Sequence, residues 1–187
     1  MCCFRADVPA RFVARLRRLA DEVPAWDGER PDPTVFRSLR ETVGQLGEIV
    51  DESNGPAFRF PELEPRGVVG DLVLIDESNA SLLDRNFPFT RSILAWRSPI
   101  LGVVRDGCVV AACYSARRRD GVCEAGVDTV EPYRGRGFAT AAVAAWARAV
   151  EAAGMTPRYS TSWDNAASLA LAARLRLVAY ADTLGLT

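Results

Sequence analysis

The residues best suited to chemistry lie in one segment, Val130-Glu131-Pro132-Tyr133-Arg134-Gly135-Arg136-Gly137-Phe138-Ala139-Thr140, and in two carboxylates just before it, Glu124 and Asp128. Two glycines in three residues, followed at once by an alanine-rich run, predict a tight turn leading from a strand into a helix. Such a turn presents backbone N–H groups at the positive end of a helix dipole, with no side chain to hold a ligand away. That is a seat for a pyrophosphate or a similar anion. Glu124 and Asp128 share one face of the preceding strand under strict alternation, unless a bulge shifts the register, and either is a candidate general base.

The residues that are missing narrow the chemistry further. The chain has no histidine, and all 23 of its basic residues are arginine. Ser-His-Asp and Cys-His catalysis, His-ligated zinc, Schiff bases and a Walker lysine are all excluded. The five cysteines, at 2, 3, 108, 113 and 123, are odd in number and show no CxxC spacing, so neither a disulfide framework nor a Cys-only metal site is expected. Cys123 points away from Glu124 and reads as core. The glycine turn is then discriminated by context. A P-loop fails for want of lysine, and a dinucleotide fingerprint fails because hairpins precede the turn and the next strand is Arg-Tyr-Ser-Thr.

Arg134-x-x-Gly137-x-Ala139 after a Val-x-Pro strand end resembles the acetyl-CoA-binding motif of the GNAT superfamily of N-acetyltransferases. Ser162-Trp163-Asp164-Asn165, opening a later helix, is similar to the segment in which that family sets an asparagine beside the pantetheine arm. Glu124 stands six residues before Val130, where many members carry a general-base glutamate. The resemblance spans about residues 68–187. It implies a ternary complex in which a primary amine of a small molecule or peptide attacks acetyl-CoA directly. It also implies that the backbone at Val130 pairs with the pantetheine and donates to the oxyanion, that Arg134 with the amides of Gly135, Arg136, Gly137, Phe138, Ala139 and Thr140 holds the pyrophosphate, and that Asn165 lies along the arm. No metal is implied. Two departures stand out: the tyrosine the family often places seven residues after the asparagine is Ala172, and the usual Gly-Phe is Arg176-Leu177. Tyr180, Tyr159 or water is left to protonate the thiolate. A CoA-binding module without catalysis and an acyltransferase for longer acyl chains are the alternatives.

The elements around these residues follow from periodicity. Arg105-Asp106-Gly107 and Arg119-Asp120-Gly121 separate three apolar runs and predict an antiparallel meander ending at the glycine turn. Val143, Trp146, Ala147 and Val150 mark one face of the following helix, which Gly154 closes. A short strand from Arg158 to Thr161, a helix beginning near Ser162–Asn165 and a last strand in Leu177–Thr187 complete an α+β (mixed α/β) sheet domain. Before the meander, Val68–Asp76 reads as a strand, Ser78–Phe87 as a short helix and Thr90–Trp96 as another turn; Phe87, Phe89 and Trp96 are candidates for shaping an acceptor pocket. Arg117–Arg119 form a hairpin rim suited to an adenosine 3′-phosphate or an acidic acceptor.

Residues 9–23 and 34–50 read as amphipathic helices, and Ala57–Gly67, with two prolines, as a crossing loop. The expected organisation is a helical extension over 1–65 packed on a domain over 66–187. The resembling family commonly has two strands after the last helix, whereas only one fits here, so one strand is missing or borrowed. The N-terminal hairpin, Met1–Val8 returning as a strand, or a second subunit could cover the open edge, and cover from within the chain is favoured.

With 187 residues, 49% hydrophobic and 25% charged, the chain is long enough for one well-buried core. Its 23 basic and 24 acidic residues nearly cancel, so no field for nucleic acid or an anionic membrane is expected. No leader or spanning run is evident, and a cytoplasmic monomer or homodimer is the expectation.

Overall fold

The computed structural model describes residue 2, residues 4–62 and residues 71–187. Two helices come first, α1 (Ala10–Glu22) and α2 (Arg37–Gly44), then the strands β1 (Glu52–Arg59) and β2 (Asp71–Ile75). Two short helices, α3 (Pro88–Ser92) and α4 (Leu94–Arg97), lead into the meander β3 (Ile100–Arg105), β4 (Cys108–Arg119) and β5 (Val122–Thr129). The chain closes with α5 (Phe138–Ala152), β6 (Thr156–Ser160), α6 (Ala166–Arg174) and β7 (Val178–Leu186). The seven strands form one sheet in the order β2-β3-β4-β5-β6-β1-β7, in which only β5 and β6 are parallel neighbours.

The meander forms as its turns predict. Asp106, Gly107, Asp120 and Gly121 all take positive φ, the conformation of the tight two-residue hairpin turn. Against β5, one bulge falls in β4, between Ser115 and Arg117, and leaves β5 regular. The extra residue brings Arg117 onto the face of Tyr114 and opposite Glu124. α5 lies on the other face of the sheet, with Ala142, Val143, Trp146, Ala147 and Val150 fully buried among Cys113, Cys123, Ala125, Leu171 and Leu175. The indole Nε1 of Trp146 donates to Ser115 Oγ at 3.3 Å, so the largest core side chain leaves no polar atom unpaired. A smaller cluster, Ile75, Leu83, Phe87, Ile100, Val109 and Ala112, fills the opposite face.

The missing strand is borrowed from a segment that the sequence reads as the end of a helix and a loop. Residues 52–59 form β1, inserted between β6 and β7 and antiparallel to both. Pro56 argues against a central strand, yet it is fully buried in one. Its carbonyl accepts the Thr161 N–H at 3.3 Å, so the ring occupies the side facing β6, beyond the last paired residue, Ser160. The ladder to β7 therefore loses no donor. The sheet thus begins at Glu52, and a boundary at residue 65 falls too late.

The second helix is shorter than its periodicity suggests. α2 stops at Gly44, and Leu46 and Val50 are exposed. Glycines at 44 and 47 weaken the helix, and the N–H groups of Val50 and Asp51 donate instead to the Thr187 carbonyl at 2.7 and 3.1 Å. α1 packs on α2, and Arg40 of α2 pairs with Glu52 at the start of β1. Phe4–Val8 forms a turn and no strand, while Met1, Cys3 and the predicted run Val68–Gly70 lie outside the described residues.

Gly55 is the tight spot of this arrangement. A Cβ there would stand 1.9 Å from the Thr161 carbonyl oxygen and 2.7 Å from Ser162 Cα, both backbone atoms that cannot turn aside. Gly55→Ala is expected to lower the free energy of unfolding by roughly 1–3 kcal/mol in urea denaturation. An unchanged midpoint would contradict this packing of β1.

Candidate active site

β5 and β6 pair only over Val122–Glu124 and Thr156–Arg158. Beyond that point β6 pairs with β1 on its other side, and β5 continues along β4, so a gap opens between the two parallel strands. Each strand is followed by a helix, so the N-termini of α5 and α6 stand at the gap's open end. Thr129 lies opposite Ala111, and the next N–H, that of Val130, donates to the Val110 carbonyl at 2.9 Å. Alternation along an antiparallel ladder then turns the N–H groups of Val127 and Thr129 away from β4, toward the gap. The backbone available to a ligand there belongs to Val127 and Thr129. The amide of Val130, which the family resemblance makes the oxyanion donor, is committed to the sheet.

At the open end, Gly135 and Gly137 both adopt positive φ, and a Cβ on either would meet no protein atom within 4 Å. Gly137 is the N-cap of α5 and offers no side-chain cap, so the first-turn N–H groups of Phe138, Ala139 and Thr140 have no intrahelical acceptor. No acidic residue occupies that turn. Phe138 is buried against Tyr133, their ring centroids 6.4 Å apart, which anchors the helix start to the loop. Arg105 lies over the Phe138 ring and Arg136 over Tyr133, and Arg134 Nε donates to the Thr129 carbonyl at 3.2 Å. Beneath the loop, Thr129 Oγ1 is buried with no partner among the described residues. An uncapped helix start, clear space above both glycines, three arginines and an unpaired buried hydroxyl together fit a diphosphate-bearing ligand.

At the closed end, Glu124 is three-quarters buried as a side chain. Its carboxylate accepts from Arg117 Nη1 at 3.3 and 3.2 Å and from Ser160 Oγ. Asp128 projects from the same face and accepts from Tyr114 Oη at 2.7 Å. Gly126 stands between them because Tyr114 crosses it: a Cβ there would come within 2.5 Å of the ring. Burial, followed by the hydrogen bond to Asp128, pushes the Tyr114 phenol up to about 12, while the Arg97 guanidinium, 4.8 Å over the ring, opposes them. Sequence reasoning passes over Tyr114, Arg97 and Ser160. The meander register, which faces Tyr114 with Gly126, is the signal that would have found the first.

Residues 101–178 match the model of the GNAT acetyltransferase family. Over these residues the chain is similar to that family. The fold agrees with solved structures. A putative GNAT acetyltransferase from Novosphingobium aromaticivorans superposes with a TM-score of 0.59 at 20% identity, over 74% of this chain and 65% of that one. A GNAT-family acetyltransferase from Colwellia psychrerythraea gives 0.57 at 11% identity, over 80% and 60%. A GCN5-related N-acetyltransferase-like protein from Streptococcus suis gives 0.56 at 20% identity, over 96% and 76%. The chain thus spans somewhat less than two thirds of the first two. No curated protein matches the sequence.

Within this region Asn165 caps α6, its side-chain oxygen accepting the Ser168 N–H at 3.0 Å, which leaves its amide NH₂ and one oxygen lone pair to face a ligand. Ala172 is buried in the core cluster that also holds Leu171 and Leu175, so the position faces the core. Tyr159 packs with Phe58 on the α5 face, opposite Glu124, and burial raises its phenol; it is placed to fill the core and not to donate a proton. Tyr180 is half exposed beneath Arg158. Phe87 belongs to the core, whereas Phe89 and Trp96 are exposed. Cys123 is fully buried, away from Glu124. Among the described residues there is no cluster of potential metal ligands, and no helix long and apolar enough to cross a membrane.

The Tyr114 proton is held more tightly in the fold than in the unfolded chain, where a phenol titrates near 10.0. Its stabilising contribution is therefore complete below that pH and is lost as pH rises through about 12. Ultraviolet titration should show a phenolate transition delayed to about pH 12 that disappears in Tyr114→Phe, leaving the raised Tyr159 transition in place, and that moves down in Gly126→Ala. A wild-type titration without a transition delayed to this degree would contradict the Tyr114–Asp128 bond.

Proposed function

We propose that this protein is an N-acetyltransferase that transfers the acetyl group of acetyl-CoA to a primary amine by direct attack in a ternary complex. The observation that carries the reading is the gap between β5 and β6, with Glu124 at its closed end and the uncapped start of α5 at its open end. The N–H groups of Phe138, Ala139 and Thr140, with Arg134 and Arg136, hold the pyrophosphate. The pantetheine arm adds as a strand along Val127 and Thr129, beside Asn165. This places the thioester toward Glu124, and a gap-facing N–H of β5 donates to the carbonyl oxygen as its carbon becomes tetrahedral.

An amine is mostly protonated at neutral pH and must lose a proton before it attacks. Glu124 takes that proton, directly or through water, while Ser160 and Arg117 orient its carboxylate. The N–C bond forms as the C–S bond breaks, and the sulfur leaves with the electron pair. Tyr114 is a poor donor to it: a phenol near 12 holds its proton too tightly for a thiolate whose acid titrates at ~8.5. The thiolate leaves as such and is protonated by water. Tyr114 is instead a positioning residue for Asp128. The near-neutral charge supports a small acceptor over nucleic acid, and we take the enzyme to act in the cytoplasm as a monomer or homodimer.

Glu124→Gln is expected to lower kcat by roughly 10²-fold at pH 7 and progressively less at higher pH, where the amine loses its proton unaided. An equal loss across the pH range would make Glu124 structural. Gly137→Val should abolish stabilisation by CoA in thermal shift while circular dichroism stays native, because its side chain enters the space the phosphates need. Undiminished CoA binding by the folded variant would overturn the assignment of the loop. Binding of acetyl-CoA without thiol release across an amine panel would favour a non-catalytic module, and faster release from longer acyl-CoAs a different acyl specificity.

A further inference from the structure

A cavity of about 560 Å³ opens between α4 and the distal part of β4, its walls including Ile93, Trp96, Arg97, Arg117 and Arg118. Its lining contains three arginines and no carboxylate. Arg117 joins it to the site already described, because the same guanidinium bonds Glu124. Arg97 is held by stacking on Tyr114 and by the Ala116 carbonyl, 3.5 Å from its Nη1; Arg118, opposite Cys123 in the ladder, reaches the Ser98 carbonyl at 3.5 Å and Met155 Sδ at 3.6 Å. Trp96, 82% exposed, offers an apolar wall beside them.

We propose that this cavity takes the anionic group of the acceptor itself, so that the preferred acceptors are small amines carrying a carboxylate or phosphate a short chain away. The proposal rests on the N-acetyltransferase reading and names its acceptor class. Arg97, held over Tyr114, and Arg117 on the same face take the anion, with Arg118 at the cavity's edge, and the stem lies against Trp96. An anion beside Arg117 also competes for the guanidinium that bonds Glu124, leaving that carboxylate to receive the ammonium. The rival use of these arginines, gripping the 3′-phosphate of the cosubstrate, is geometrically disfavoured. β5 runs from the Asp120-Gly121 turn beside Arg118 to the phosphate loop, and its eight residues span roughly 25 Å. The phosphate-binding end and the arginine cavity therefore lie at opposite ends of the strand.

The test uses matched acceptors that differ only in the anion: β-alanine against β-alaninamide, and phosphoethanolamine against ethanolamine. Thiol release from acetyl-CoA is followed, together with thermal shift by each acceptor in the presence of CoA. The charged member of each pair should show a KM lower by about tenfold or more, with the advantage shrinking as salt is raised. The double variant Arg97→Gln/Arg118→Gln should sharply reduce that preference, read as the ratio of kcat/KM for the charged member to that for the neutral one, so that a general loss of activity cancels. Equal use of charged and neutral acceptors, or a preference that survives in the folded double variant, would overturn the proposal. Absence of thiol release with every amine would sink the transferase reading instead. In that event stabilisation by charged over neutral ligands, and its loss in the double variant, still decides for or against the anion site.

Discussion

The parting of two parallel strands is the constraint on which the rest of the structure depends. β5 and β6 share three residue pairs and then separate, each satisfying its backbone elsewhere: β5 on β4, and β6 on β1. Unpaired backbone polar groups are costly when buried, so a gap inside a sheet persists only where something else takes up the hydrogen bonds. On the β6 side that partner is β1, drawn in so closely that Gly55 leaves no space for a side chain next to Thr161. On the β5 side the N–H groups of Val127 and Thr129 are left for a ligand. Because the strands are parallel, the same parting gathers two helix N-termini at one end.

The electrostatics follow the same axis. Positive charge and free N–H groups collect at the open end, around Arg134, Arg136 and the start of α5. The carboxylates stand deeper on the strand, each with a donor assigned to it: Glu124 with Arg117 and Ser160, Asp128 with Tyr114. The β4 bulge decides the first of these pairs. Without the extra residue between Ser115 and Arg117, alternation would turn the arginine to the α5 face and leave Glu124 without its cation.

The N-terminal third contributes more than a cover for the domain. Its last segment supplies an interior strand of the sheet, and the C-terminus answers by accepting the N–H groups of Val50 and Asp51. Asn54 and Trp163 both donate to Asp182, tying β1, the loop before α6 and β7 together at the rim of the gap. The sheet is in this way completed by a strand from the N-terminal third of the chain.

Wherever local chemistry decides the outcome, the sequence by itself determined the structure. The Asp-Gly turns set the meander, the paired glycines set the loop before α5, and the apolar period of α5 put Trp146 and Val143 in the core. Regular alternation likewise put Glu124 and Asp128 on one face, and the absence of histidine and lysine by itself bounds the chemistry. Tertiary structure alone decided the features that depend on residues far apart. Pro56 and Gly55 speak against a strand by every local measure, and only a partner whose pairing ends at Ser160 makes a strand of them. The direction of the Val130 N–H, the approach of Tyr114 to Asp128 across Gly126, and the stacking of Arg97 on that ring depend on how strands and helices distant in sequence are brought together. Such contacts are fixed by pairing and packing across the sheet, which the periodicity of a single segment does not record.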